Sequence, residues 1–462
     1  MLKYFLYAIS VIILLFIGSL LVYFTFAQPH NKKKETPQII NQEEDCPLFI
    51  VNGYSVDNQN ISLDSLKKAF CAGKVYTLAK LKNQVEKLFP CEAKIPTIQN
   101  LQAFIPLAKK NLLLVDIHHL HNQFQTLQID SISFFDGFEK YPLWLKKDKP
   151  FDYKKRITKL MLTGCSAITR NTGLAADVNG PQFITKGVID YFKDADLVHI
   201  SNEVSISPTC IYQKYDPSYR FCTKERDFQA LTDLSVDIVE LTGNHNKDFG
   251  HEPYQLTMDW YQKNKIQTFG GGLNPEQANK PLIISLKDGK KLAFIGYNES
   301  CPIGECAKSA NQSGANPYNR DNALKTISDL KKRQKIDIVW VGVQFSEVDS
   351  YSPSATQLKI SRDLIDMGAD VVHGSQAHQV QKIEFYKGKP IFHGLGNFMF
   401  DQIHRIGVRQ SYFLKNYLFE GRLIQSIPIF TFISDERIPV IASPEQTQVM
   451  RQIVFEDGLI YK

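Results

Sequence analysis

The residue types best suited to chemistry fall in six short segments, each following a run of apolar residues. They are Gly164-Cys165-Ser166, Asn202-Glu203, Gly243-Asn244-His245-Asn246-Lys247-Asp248, Gln344 with Glu347, His373-Gly374-Ser375-Gln376-Ala377-His378, and His393-Gly394-Leu395-Gly396-Asn397. Imidazole, carboxylate and carboxamide groups in such positions can ligate a metal, move a proton, or hold a substrate through hydrogen bonds. His245 is the candidate general acid, Asn244 the group that polarises substrate, and Glu203 the carboxylate that orients water or holds an ion. Cys165 is a thiol that a neighbouring imidazole could activate, although a small cysteine at a strand end is more often simply buried. Gly-Asn-His is also an ordinary turn sequence, so its weight comes from the company it keeps.

For these segments to meet, the elements before them must deliver all six to one edge. Apolar runs at 159–163, 196–201, 237–242, 291–297, 337–345 and 370–373 read as strands. Stretches at 184–193, 254–263, 322–333 and 356–367 carry helical spacing between them. That alternation predicts an α/β sheet covered by helices, in which ligands collect beyond the carboxyl ends of the strands. Residues 382–393, with Lys387-Gly388 at the centre, read as a hairpin, so a layered pair of sheets is expected.

Taken in order, Gly-Cys at 164–165, Asn-Glu at 202–203, Gly-Asn-His-x-x-Asp-x-Gly from 243, Gly-Gly-Gly-Leu-Asn at 270–274, Gly-Ala-Asp at 368–370, the 374–378 segment and Leu-Gly-Asn-Phe at 395–398 closely resemble the CapA family of poly-γ-glutamate capsule synthesis proteins. The resemblance spans about residues 157–404. It implies a calcineurin-like metallophosphatase fold, a four-layer α/β sandwich, and a divalent metal such as Mn, Zn or Fe. Carried across, it makes Glu203, Asn244 and His378 the metal ligands, joined by His373 or His393, and puts His245 at the leaving-group oxygen. Asn202, Asp248, Gln344, Gln376, His393 and Asn397 are the candidate substrate-binding residues.

This chain departs from the family where metal ligands are usual. Cys165 stands for an Asp, Gln344 for a His, and Ser375-Gln376-Ala377 for His-His-Pro. A dinuclear site needs a bridging ligand and several donors to hold two cations about 3.5–4 Å apart, and too few remain here. The resemblance implies a role in synthesis, export or attachment of an anionic capsule or surface polymer, such as poly-γ-glutamate or a cell-envelope glycan, alongside capsule-synthesis partner proteins. Two alternatives stay open: a metal-dependent phosphoester or amide hydrolase using the same cleft, and a noncatalytic membrane-tethered scaffold.

The rest of the chain sets the context. With 462 residues, 43% hydrophobic and 22% charged, it can bury a large core. The net charge, 54 − 48 = +6, is spread along the chain and does not point to nucleic acid. Tyr4 to Ala27 is a run of 24 uncharged, mostly apolar residues, enough to cross a bilayer core of about 30 Å. Residues 1–27 are thus expected to be a transmembrane signal anchor, with a long cleaved signal as the alternative, and 28–46 a linker. Residues 47–150 read as a small α/β region of unassigned role, and 151–462 as the CapA-like domain. The chain carries eight cysteines, and the pairs Cys210/Cys222 and Cys301/Cys306 fit disulfides in an oxidising exterior. Cys46, Cys71 and Cys91 could supply another bridge. A membrane-anchored protein with an extracytoplasmic domain is the resulting expectation. His118, His119 and His121 are expected to be solvated.

Overall fold

The computed structural model describes residues 44–455 except 55, 57–58, 92–93, 148 and 215–217. The apolar segment 4–27 and nearly all of the linker lie outside the described residues. Among those described, no helix is long and apolar enough to cross a membrane. Asp45–Lys146 and the chain from Pro150 onward form one compact unit. Of the second unit the description retains Glu44, Lys147 and Lys149, with a bridge between Glu44 and Lys149.

The first region is built on a six-stranded sheet. Its strands are β1 (Cys46–Gly53), β2 (Val75–Leu78), β3 (Thr97–Ile98), β4 (Leu112–Asp116), β5 (Phe124–Thr126) and β6 (Trp144–Leu145). In β1 all seven residues after Cys46 are buried, so its apolar run is sandwiched on both faces, as in a central strand. It pairs with β4, β5 and β6. Helix α1 (Leu63–Cys71) starts where the Ser62 hydroxyl accepts from the Ser65 amide, and the Cys71–Cys91 disulfide ties its end down. This core extends onto Tyr417, Phe419 and Ile424, so the region is continuous with the larger one after it.

Two further large sheets, with two small two-stranded ones beside them, make up the larger region. The first contains β7 (Thr158–Ser166), β8 (Leu197–Asn202), β9 (Ile238–Glu240) and β10 (Gln267–Phe269). The second contains β11 (Leu282–Ser285), β12 (Lys291–Asn298), β13 (Ile338–Gln344), β14 (Val371–Ser375), β15 (Ile383–Tyr386) and β16 (Lys389–Phe392), in the order β11-β12-β13-β14-β16-β15. The last strands, β17 (Asn397–Met399), β18 (Gln410–Phe419), β19 (Arg422–Ile433) and β20 (Pro439–Ile441), return to the first, giving β10-β9-β8-β7-β18-β19-β20 with β17 also on β7. Strands β15 and β16 form the expected hairpin.

The layering follows from the two-residue period of strands. Leu160 and Leu162 join Phe294, Ile338 and Trp340 in the core between the sheets. Met161 packs instead with Ile200, Leu231 and Tyr261 of α2 (His251–Lys263) on the outside of the first sheet. Ala293, Val339 and Val341 pack with Ile327 and Leu364 outside the second sheet, under α3 (Arg320–Ser328) and α4 (Ala355–Met367). Helix, sheet, sheet, helix is the resulting order of layers. The stretch 184–193 is not the expected helix: it holds one short helical turn, Ile189–Tyr191, and follows another, Pro181–Phe183. Gly187 presses so close to Pro439 that a Cβ would lie 2.4 Å from its carbonyl oxygen, and this approach holds the backbone off a helical path.

Disulfides form at Cys71–Cys91, Cys210–Cys222 and Cys301–Cys306, the last two as the sequence spacing led us to expect. The three histidines near 120 are not simply solvated. His118 pairs with Glu420 at 3.0 Å, His119 bonds Asp116, and His121 is largely buried, its pKa pushed down to about 4 by burial and by the charges of Lys389 and Arg422.

Candidate functional site

The inward faces of four strands carry a column of polar side chains. It runs through His199 and Ser201 to Glu203 from β8, and through Glu240 and Thr242 to Asn244 from β9. Gly342 and Gln344 continue it from β13, and His373 and Ser375 from β14. At the top of the column the Gln344 amide is the hub. Its nitrogen donates to Glu203 Oε1 at 2.8 Å and Asn244 Oδ1 at 3.1 Å, and also contacts Gln376 Oε1. The Glu203 carboxylate can only accept, which fixes the direction of the amide, and the Ser375 hydroxyl then donates to Gln344 Oε1. Three oxygens therefore converge on an amide nitrogen with two hydrogens, an arrangement of acceptors of the kind that surrounds a cation. Gly243 permits it, since a Cβ there would lie 2.7 Å from Glu203 Cγ. Gln376 and His378 hold φ of 78° and 52°, a costly backbone for residues with side chains.

Beside this hub stands His245, half-buried. Burial works against its charged form, but the Asp248 carboxylate, 2.8 Å from Nδ1, outweighs it and raises the imidazole above its ordinary range. The ring packs on Phe221 at 4.3 Å between centroids, and Arg170 lies over Phe221 and Phe400 at 4.5 and 5.2 Å while pairing with Asp401. Two disulfide-closed loops clasp the same segment. From the Cys210–Cys222 loop, the Phe221 amide donates to Asp248 Oδ2 at 2.6 Å and Arg220 donates to the Asp248 carbonyl at 2.7 Å. From the Cys301–Cys306 loop, Glu305 accepts from the Lys247 amide at 3.2 Å. Burial, and then the charge of Asp248, push the Glu305 carboxyl up to about 7.

Other residues expected at the site are placed differently. Asn202 points away from the column, donating to the Val204 carbonyl and to Tyr261 at 2.7 and 2.9 Å. His393 is buried against Glu384 at 3.1 Å, in a pair completed by Arg362. Asn397 donates to Gln402 and to the Val408 carbonyl, so its Oδ1 accepts from His378 Nδ1 at 2.8 Å. That bond leaves the His378 Nε2 lone pair available. Sequence reasoning missed Arg170, Phe221, Glu305 and Glu240. Glu240 had a signal, an acid inside the apolar run Ile238-Val239-Glu240-Leu241; the others arrive on loops whose placement only the fold supplies.

The family resemblance implies a metal, and the hydrogen bonding of the donors present bears on whether one fits. At the hub the Gln344 amide takes Glu203 Oε1 and Asn244 Oδ1, while Glu203 Oε2 stays buried without a hydrogen-bond partner. With no ion beside it, burial, and then the Glu203 carboxylate, push the Cys165 thiol well above its ordinary pKa. One group among the described residues has ligand atoms close enough to hold an ion: His199, Glu240 and His373, all within 4.8 Å of one another and buried beneath the hub. Here the tautomer decides. The Trp340 indole can only donate, and it does so to His373 Nδ1 at 3.0 Å, so that the proton of His373 sits on Nε2, 2.7 Å from Glu240 Oε2. A metal on Nε2 would force a proton onto Nδ1, facing the indole N–H. Thr242 donates to the other Glu240 oxygen at 2.6 Å, and Gly342 leaves the space, since a Cβ there would lie 2.5 Å from Glu240 Oε1. As hydrogen-bonded here, the Gln344 amide and the His373 tautomer both oppose a resident metal, although Glu203 Oε2 and both His199 nitrogens are buried without a hydrogen-bond partner.

Two sheets face to face, with helices outside and polar groups gathered at the strand ends, define a layered α/β sandwich. Residues 159–402, more than half of the chain, match the family described as bacterial capsule synthesis protein PGA_cap, and the chain belongs to that family. It is 28% identical over 250 residues to the capsule biosynthesis protein CapA of Bacillus anthracis, covering 53% of this chain and 60% of that one. It is 26% identical over 250 residues to the PGA biosynthesis protein CapA of Bacillus subtilis, covering 54% and 65%. A probable polyglutamine synthesis accessory protein of Mycobacterium tuberculosis is 27% identical over 191 residues, covering 40% and 50%. The matches thus span less than two thirds of each of these relatives. Among solved structures, TT1561 of Thermus thermophilus aligns with a TM-score of 0.32 and 11% identity, over 59% of this chain and 98% of that one.

Proposed function

We propose that this protein acts in the synthesis, export or attachment of an anionic capsule polymer of the poly-γ-glutamate type, and that its strand-end site holds polymer without metal catalysis. The observation that carries the second part is the Gln344 amide, which donates into the acceptor cluster of Glu203, Asn244 and Gln376. A polymer carboxylate would be met at the rim by the His245 imidazolium and by Arg170, whose face is fixed between Phe221 and Phe400. Asn244 and Gln376 offer amide N–H groups to the polymer's own amides, and His378 Nε2 offers an acceptor. The three disulfides fit an extracytoplasmic site, and the apolar run at 4–27 would serve as its membrane anchor. Capsule-synthesis proteins in the same membrane are the expected partners.

The test is equilibrium binding of fluorescent poly-γ-glutamate to the full chain. His245→Ala should weaken binding about tenfold, the worth of one hydrogen bond to a charged group. Wild-type affinity should fall as pH rises through the raised pKa of His245, because the imidazolium is lost. Equal affinity in wild type and variant across that range would reject the site. Cleavage of the polymer that is lost in both His245→Ala and Glu203→Gln would favour the hydrolase instead.

A further inference from the structure

Two hairpin turns and one loop meet at the starting ends of β13, β14 and β16, the opposite ends of these strands from the strand-end site. The turns are Lys387-Gly388, with φ of 49° and 78°, and Glu420-Gly421, with φ of 48° and 69°, both in the left-handed region that tight hairpins demand. The loop is the histidine-bearing stretch after β4. Between them lies a cavity of about 80 Å³, lined by His121, Asn122, Lys389, Arg422 and Asp370 among others.

The polar groups around this cavity are unequally satisfied. Asp370 is fully engaged: its carboxylate accepts from the Val339 amide at 2.9 Å and pairs with Lys331 at 2.5 Å and Lys389 at 2.7 Å. Arg422 is not. Its guanidinium has a single long hydrogen bond, 3.4 Å to the Leu120 carbonyl, and it forms no ion pair among the described residues. Burial holds the pKa of this half-buried guanidinium below its ordinary value, and the nearby charges of Glu420 and Asp116, neither of them paired with it, only partly offset that. Glu420, the next residue but one, is turned away to His118 and Arg156. His121 accepts from the Gln123 amide at its Nδ1, 3.3 Å away, so in its neutral form the proton sits on Nε2 as a further donor. Arg422, His121 Nε2–H, Lys389 and the Asn122 amide thus give the cavity a surplus of donors over acceptors.

We propose that this cavity is a binding site for a small oxyanion, a carboxylate or a phosphate, with the Arg422 guanidinium as its principal ligand. The planar fork of arginine suits both anions, His121 adds a directed N–H, and Lys389 adds charge at the mouth. The anion would offset the charge of Arg422, which together with burial and Lys389 now opposes protonation of His121. A metal-binding role for the histidine tract is disfavoured by the same geometry, since His118, His119 and His121 each turn to a different partner.

The experiment is calorimetric titration of the full chain with inorganic phosphate and, separately, with glutarate, in a buffer free of other oxyanions. One saturable site per chain is expected for at least one of the two anions. Arg422→Gln should weaken it about tenfold or more, as loss of a charge-assisted hydrogen bond does. His245→Ala should leave it unchanged, which separates this site from the strand-end cleft. Melting temperature gives a second reading: the effective anion should raise it in wild type and not in Arg422→Gln. If Arg422 only props the Leu120 carbonyl, the variant will melt lower but the anion will shift neither protein. That result, or the lack of saturable heat with both anions, overturns the proposal.

Discussion

At the scale of the residue, the site is decided by which atoms carry protons. Gln344 answers a cluster of acceptors with an amide, and Trp340 commits His373 to the Nε2–H tautomer. Glu305 gives the most direct titration. Its carboxyl holds its proton to about pH 7 in the folded chain, against 4.5 for the free group. Between those values the unfolded chain has lost the proton and the folded one keeps it, so the residue's contribution to stability falls as pH rises through the window. Glu305→Gln should abolish that component, so that the melting temperature of the variant gains on wild type from pH 5 to pH 8. A constant difference across the range would show that Glu305 titrates normally. None of these roles was legible in the sequence, because a tautomer or a raised pKa depends on neighbours 33 to 133 residues away, as between His373 and Trp340 or Glu240.

At the scale of the element, the strands were the most readable part of the chain. Runs such as Ile338–Gln344 are buried throughout, and a continuous apolar run bounded by polar loops admits few other readings. Helix Ala355–Met367 was equally plain, opening on a Ser354–Gln357 capping box and closing at Gly368 with φ of 116°. The 184–193 stretch failed because Gly187 answers to a tertiary contact and not to helical spacing. The loops that finish the site failed for a related reason. Cys210 and Cys222 could be read as a pair, but nothing in their spacing says that Phe221 will cover His245. Replacing both cysteines by Ser should cost about 2–5 kcal/mol of stability if the loop behaves as bridges in small exported domains do. It should also weaken polymer binding by freeing Phe221 and Arg220 from Asp248. Polymer affinity unchanged by the double replacement would mean that the loop does not shape the site.

At the scale of the molecule, a buried polar column between two sheets is an expensive feature, since an apolar layer would stabilise the sandwich more simply. Its retention directly beneath the strand-end hub ties the core of the fold to the site above it. The family resemblance, carried by motifs from Gly164 to Phe398, gave the layered architecture before the structure did. It could not show that a hydrogen-bonded amide occupies the hub. The proposed envelope location makes its own prediction: protease added to intact cells should degrade the domain, and non-reducing peptide mapping of the exported chain should recover Cys71–Cys91, Cys210–Cys222 and Cys301–Cys306. Full protection from protease together with free thiols at these positions would place the domain inside.

The measurement that bears most directly on the central claim is the metal content of the full chain, purified without chelator beside Glu203→Gln and His378→Ala variants. The account predicts less than stoichiometric Mn, Zn or Fe in wild type and no difference among the three proteins, because the Gln344 amide already takes Glu203 Oε1 and Asn244 Oδ1 at the hub. About one metal per chain, lost in either variant, would contradict it and restore a metal centre at the strand ends.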